Sequence, residues 1–233
     1  MIGPRWNSDW KFSAQPENPL GLEPLRFSGQ QQVAMDYQVE ILDSQTGYDG
    51  FFELKRFRLR HSLFSGGWSA ELERERIERL QAASVLLYDP NRDQVVMIEQ
   101  FRVGALEEGP GAWLLETVGG LIEPGESAEE VARREAREEA GCLPLELAHI
   151  CDFYVSPGTA TERIHLYCGR VDSSRAGGVF GLEEEGEDIR VEVLSAEQAI
   201  AELYGGRVNS TSAIIAVQWL AMNRGALRRR WLG

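Results

Sequence analysis

"GGLIEPGESAEEVARREAREEAGC" (residues 119–142) packs a turn, a helix and a helix stop into one short run. Pro124-Gly125 is turn chemistry. Ser127, with Glu130 three positions on, has the form of a capping box. Gly141 stands where a C-terminal cap belongs, and Pro144 follows it. The spacing therefore predicts a helix from Ala128 to Ala140. With side chains placed at about 100° per residue, Ala128, Val131, Ala132 and Ala136 form a narrow apolar stripe. Glu129, Glu130, Arg133, Arg134 and Arg137 fall on the opposite side. There Glu129–Arg133 and Glu130–Arg134 are i,i+4 pairs in the favourable order, which predicts a solvated, ion-paired face. Glu135 and Glu139 project from the middle of the alanine stripe, with Glu138 at its edge. Like charges one turn apart destabilise a helix by roughly 0.2–0.5 kcal/mol. Inward carboxylates must also be paired, protonated or bound to a metal. On the helix alone two readings stay open. The pair shares a hard cation such as Mg²⁺, which takes oxygen ligands, or each is held by an arginine from elsewhere in the fold.

The rest of the chain sets the frame. It has 233 residues, enough for one large domain or two small ones, and a net charge of -13. That acidity argues against a nucleic-acid surface. It also means that a phosphate-bearing substrate needs local positive charge, which metal ions would supply. The three cysteines, Cys142, Cys151 and Cys168, form no C-x-x-C pair and read as small core residues in a reducing compartment. His61, His149 and His165 lack zinc spacing, and the last two lie in strand-like runs. No apolar run reaches membrane-spanning length and no signal-peptide core opens the chain, so a cytoplasmic protein without a membrane partner is expected.

Residues 1–26 read as an irregular N-terminal segment, 27–79 as an N-terminal β region and 80–233 as the main domain. Strand-like runs are "VAMDYQVEIL", "FFELKRFRLRH" and "WSAELERERIER", the last two joined by a turn at Ser65-Gly66-Gly67. "ASVLLYD", "QVVMIEQFRV" and "WLLETVGG" precede the quoted stretch; "LELAHICDFYV", "IHLYCGRV" and "DIRVEVL" follow it. A second capping box at Ser195–Gln198 and a start at Asn209-Ser210 place two helices at the end, the last running through Trp219. Runs of strands around a few helices indicate an α+β fold.

The opening stretch resembles the Nudix box, G-x5-E-x7-R-E-U-x-E-E-x-G-U. Gly120, Glu126, Arg134, Glu135, Glu138, Glu139 and Gly141 stand at its fixed positions, with Ala136 and Cys142 at the two aliphatic ones. "IEQFR" (98–102), "SPGTATER" (156–163) and "GLEEEGEDIRVEV" (181–193) look like the bacterial ADP-ribose pyrophosphatase subgroup, and GDP-mannose-type pyrophosphatases share much of that pattern. The resemblance implies an α/β/α sandwich around a mixed sheet, preceded by an antiparallel β region. It implies Mg²⁺-dependent hydrolysis of a nucleoside diphosphate, namely ADP-ribose to AMP and ribose 5-phosphate, with Mn²⁺ able to substitute and two or more ions per site. A non-catalytic ADP-ribose sensor is the reading from another class, and it would favour a degraded box; here the acidic positions are intact.

By the same resemblance Glu135, Glu139 and the Gly119 carbonyl are metal ligands, and Glu138 joins through water or bonds an arginine. Gly120, Glu126, Arg134 and Gly141 brace the box. Glu185 and Glu187 occupy a late loop whose glutamate acts as general base or ligand of a metal-bound water in similar enzymes. Phe51 or Phe52 is a candidate to stack on adenine, and Arg74, Arg79 and Arg102 are candidates for phosphate or ribose; the resemblance favours Phe51, Arg79 and Arg102, and implies that Glu162 binds a ribose hydroxyl. The N-terminal strands exchange between the two subunits of a homodimer and complete the partner's site.

Overall fold

The structure is a computed structural model that describes residues 37–107, 111–183 and 186–233. The expected irregular segment 1–26 and the late-loop Glu185 lie outside the described residues. Two sheets carry the fold. β1 (Val39–Asp49), β2 (Glu53–His61) and β3 (Leu72–Glu78) form an antiparallel sheet in the order β1-β2-β3.

The larger sheet has eight strands: β4 (Ala82–Asp89), β5 (Gln94–Phe101), β6 (Trp113–Glu116), β7 (Val118–Leu121), β8 (Glu146–Tyr154), β9 (Arg163–Arg170), β10 (Gly178–Phe180) and β11 (Ile189–Ser195). Its order is β10-β11-β5-β4-β9-β8, with β6 beside β5 and β7 beside β4. The β4–β9 pair is parallel and the others are antiparallel, so the sheet is mixed.

"ASVLLYD" is apolar on both faces because both faces of β4 are covered. Ala83, Val85 and Leu87 pack with Val131, Ala132 and Ala136 of α1 (Ala128–Ala140). Leu86 and Tyr88 pack on the other side with α2 (Ala196–Gly205) and α3 (Thr211–Leu232), through Ala199, Leu220, Leu227 and Trp231. This is the expected α/β/α sandwich. The two sheets are stitched by backbone bonds: the Ile77 N–H donates to the Thr159 carbonyl at 2.8 Å, and the Thr161 N–H to the Ile77 carbonyl at 3.1 Å.

Local signals set the box helix as expected. The Ser127 side chain accepts from the Glu130 N–H, the Glu130 side chain accepts from the Ser127 N–H, and Gly141 ends the helix in the left-handed region at φ 61°. The outer face differs from expectation. The Glu129–Arg133 and Glu130–Arg134 pairs do not form among the described residues. The Glu130 carboxylate is held by the cap, Arg133 donates to the Pro144 carbonyl, and Arg134 turns to other carboxylates. A capping or tertiary partner at lower exposure outcompetes a solvated i,i+4 pair.

Three further boundaries shift. β1 runs on through the polar "DSQTGYD" because β2 offers a ladder as far as Asp49–Glu53. "WLLETVGG" breaks at Thr117 into β6 and β7, which pair with different strands. α3 continues far past Trp219, since Leu227 and Trp231 are buried and Arg224 and Arg228 reach Asp93. The histidines of β8 and β9 are structural as expected: His149 Nε2 and His165 Nδ1 both meet Asp152 Oδ1, at 2.8 and 2.9 Å. All three cysteines are free; Cys142 and Cys168 are buried and Cys151 is half-buried.

Candidate active site

The site forms where α1 crosses β7. Val118 packs into the cluster on the α1 side of the sheet. Strand alternation places Glu116 and Gly120 on that same face. Glu135 lies over Gly120: a Cβ built there would fall 1.8 Å from Glu135 Oε1, so any side chain at 120 would push that carboxylate aside. Gly119 is equally confined, since its Cβ would meet the Ala83 carbonyl at 2.7 Å. The Gly119 N–H donates to Glu139 Oε2 at 3.0 Å. Beside these glycines Ser84 Oγ bonds Thr117 Oγ1 at 2.7 Å and donates to the Val118 carbonyl at 3.0 Å, which fixes the strand that carries Gly119.

The carboxylates are electrostatically coupled. Burial pushes Glu139 up to about 8; the Gly119 N–H works against this, the negative charges of Glu135 and Glu187 add to it, and Arg102 opposes it. Glu135 is also raised, first by burial, with the Arg134 charge pulling down and Glu138 and Glu187 pushing up. Glu187 thus acts on both helix glutamates from the late loop. That loop is closed on itself: the Leu182 N–H donates to Glu187 Oε2 at 3.1 Å and the Glu187 N–H to the Leu182 carbonyl at 3.2 Å.

Arg134 is the hub of the second layer. Its Nε meets Glu126 Oε1 at 3.1 Å, and one terminal nitrogen reaches Glu135 Oε1 at 2.8 Å and Glu138 Oε2 at 3.1 Å. Glu126 also accepts from the Glu123 N–H, which ties the loop before α1 to the helix.

The remaining residues split into two groups. Arg102 pairs with Glu116 at 2.7 Å, and its charge is felt at Glu139, so it belongs to the carboxylate cluster. Arg79 bonds Glu162 at 3.2 Å and stacks over the Phe52 ring at 4.6 Å, and its N–H donates to Thr161 Oγ1 at 2.7 Å. Phe51 is exposed, edge-on to Phe52. Arg74 lies opposite Phe57 in the three-stranded sheet and bonds the Glu73 carbonyl, so its hydrogen bonding stays within that sheet. Sequence reading missed Glu116. Its signal was there: it shares the period-two face of Val118 and Gly120.

A family model described as "NUDIX domain" matches residues 78–213. The chain belongs to the Nudix family. Among its Nudix relatives is the ADP-ribose pyrophosphatase of Escherichia coli strain K12, 47% identical over 193 residues, covering 83% of this chain and 92% of that one. The Haemophilus influenzae ADP-ribose pyrophosphatase is 44% identical over 196 residues, with 83% and 90% covered. A GDP-mannose pyrophosphatase of Citrobacter koseri is 35% identical over 188 residues, with 80% and 96% covered. In fold, the chain matches a crystal structure titled as an ADP compounds hydrolase with a TM-score of 0.64 at 19% identity, covering 82% of this chain and 97% of that one.

Nudix hydrolases act on pyrophosphate bonds and generally use divalent metal ions. The donor chemistry of this box suits a hard cation. The negative charge of Glu187 adds to that of Glu135 at Glu139, and raises Glu135 as well, and carboxylate oxygens are the donors such a cation takes. Among the described residues they are not already arranged as a cage. Glu135 is engaged by Arg134 and Glu139 by the Gly119 N–H. Cation binding would draw on these contacts and displace the proton that burial favours on Glu139.

Proposed function

We propose that this chain hydrolyses the pyrophosphate bond of ADP-ribose, giving AMP and ribose 5-phosphate. The placement of the two helix glutamates on the glycine strand, Glu135 over Gly120 and Glu139 bonded by the Gly119 N–H, carries this reading. Glu135, Glu139 and the Gly119 carbonyl would hold Mg²⁺, or Mn²⁺ in its place, in two or more ions per site. The bound cations would supply charge neutralisation for the diphosphate and lower the pKa of a coordinated water. Arg134 keeps Glu126, Glu135 and Glu138 in register. Glu187 or Glu185 takes the proton of the attacking water as its oxygen bonds to phosphorus. The P–O bond of the bridge then breaks and its electron pair leaves with the departing phosphate.

Arg102 meets the diphosphate, while Arg79 and Glu162 meet the ribose end. Phe51 and Arg74 serve a neighbouring copy: the three-stranded sheet exposes Val39, Ile41, Tyr48 and Phe51, and a homodimer would cover them. Residues 27–79 then act as the assembly region and 80–233 as the hydrolase domain. Free thiols fit a cytoplasmic setting. Among the described residues no helix is long and apolar enough to cross a membrane.

A panel of ADP-ribose, GDP-mannose and related diphosphates, assayed with Mg²⁺ and with product identification, tests the reading. ADP-ribose should be turned over with the highest kcat/KM. Preference for GDP-mannose would transfer the assignment to the rival nucleotide-sugar activity. Binding of ADP-ribose without turnover would make the chain a sensor.

A further inference from the structure

Gln100 is a polar residue left without a partner beside the site. It is 7% exposed, and its Nε2 has no hydrogen-bond acceptor among the described residues. A buried donor in that state is costly, so its presence calls for a reason. Its position supplies one. Val96 and Ile98 pack on the α1 side of the sheet, and alternation carries Gln100 and Arg102 onto the same face. In the β5–β6 ladder Ile98 stands opposite Glu116 and Gln100 opposite Leu114. Gln100 and Glu116 are therefore diagonal neighbours, within reach of each other's long side chains. The Arg102–Glu116 ion pair spans the Gln100 position from one side to the other. Glu116 is the confined member, with its side chain 14% exposed against 48% for Arg102.

We propose that Gln100 is a positioning residue that takes over Glu116 when Arg102 turns to substrate; this rests on the reading above that Arg102 meets the diphosphate. Once Arg102 leaves, Glu116 would remain as a shielded carboxylate without its cation. The free Gln100 N–H is the donor at hand, and it bonds the oxygen that Arg102 gave up. The guanidinium is thereby released to the ligand without stranding a charge. Without that donor the penalty falls on substrate-bound and transition states alike, which raises KM and spares kcat.

The test uses the full chain with Mg²⁺ and ADP-ribose. Gln100→Leu and Gln100→Met both remove the donor at similar size. Each should raise KM about tenfold, as loss of one hydrogen bond to a charged group does, with kcat near wild type. The metal-free Tm should stay level or rise, because an unsatisfied donor is gone. In a Glu116→Gln background no charge needs a replacement donor, so the same changes should leave KM unmoved; that non-additivity is what a merely structural role would not produce. Wild-type KM in both Gln100 variants, while Arg102→Ala raises KM, overturns this proposal alone. Equal losses in both Glu116 backgrounds overturn it too. Wild-type KM in Arg102→Ala, or no hydrolysis of ADP-ribose by the wild-type chain, removes the reading on which it stands, and the proposal with it.

Discussion

Glu139 is a carboxyl whose fold favours the protonated form. Burial pushes its folded pKa up to about 8 from the ordinary 4.5, so between these values the native state binds more protons than the unfolded one. Metal-free stability must then fall as pH rises across that window. Glu135, raised in the same direction, adds to the fall. The carboxyls held below their usual values, such as Asp89, Asp152 and Glu126, act only at more acid pH. Melting of the metal-free protein between pH 6 and 8 should show Tm dropping in wild type and a flatter profile in Glu139→Gln. That variant should also lose Mg²⁺ affinity and most turnover; near-normal turnover would sink the metal reading of the box. A second residue-scale test is Gly120→Ala. The added methyl overlaps Glu135 Oε1, and a ligand displaced by about 1 Å lowers turnover on the order of 10²-fold. Wild-type activity would show that Glu135 need not sit there. Both glutamates were legible in sequence because they interrupt an alanine stripe. The Arg134 hub was only half legible: the i,i+4 rule sees partners within a helix, whereas Glu126 comes from the loop before it.

At the scale of elements, the box helix is written locally and the late loop is not. Ser127→Ala removes the side-chain half of the capping box and keeps the backbone N–H that Glu130 accepts; it should reduce stability by about 1 kcal/mol, readable as a shifted urea midpoint with an unchanged slope. No shift would mean that α1 is held by packing alone. Glu187→Gln should leave the metal-free fold intact and lower kcat by roughly 10²–10⁴-fold if Glu187 is the base. Normal kcat there passes the role to Glu185. Caps, turns and glycine stops gave the ends of α1 and the start of α2, because those contacts are between near neighbours. The extension of β1, the break at Thr117 and the length of α3 depend on strands and side chains far along the chain, and the short β10 has no periodic pattern to read.

At the scale of the whole molecule, strand runs around a few helices were enough to indicate an α+β chain, while the antiparallel β region ahead of a mixed main sheet came with the family resemblance. How the two sheets join was not legible. It depends on backbone bonds between Ile77 and the Thr159–Thr161 segment, which carry no side-chain signal. Exposed apolar residues on the three-stranded sheet predict a dimer by light scattering at working concentration; a fully active monomer would count against a shared site. The parallel β4–β9 pair has a consequence in time. β4 occupies the middle of the large sheet, yet its parallel neighbour is made only after the box helix and β8 have been synthesised. A nascent chain can fold α1 and hold β4 against β5 and β7, but the central seam waits for Arg163–Arg170. Distant pairings of this kind slow folding more than they alter final stability. Gly169 sits opposite Leu87 in that seam, and a methyl there would press on Val85 Cγ2 at 3.1 Å and Leu87 Cδ2 at 3.3 Å. Gly169→Ala should therefore show its effect mainly in the refolding arm of a chevron if seam closure limits the rate, and mainly in the unfolding arm if the seam closes late.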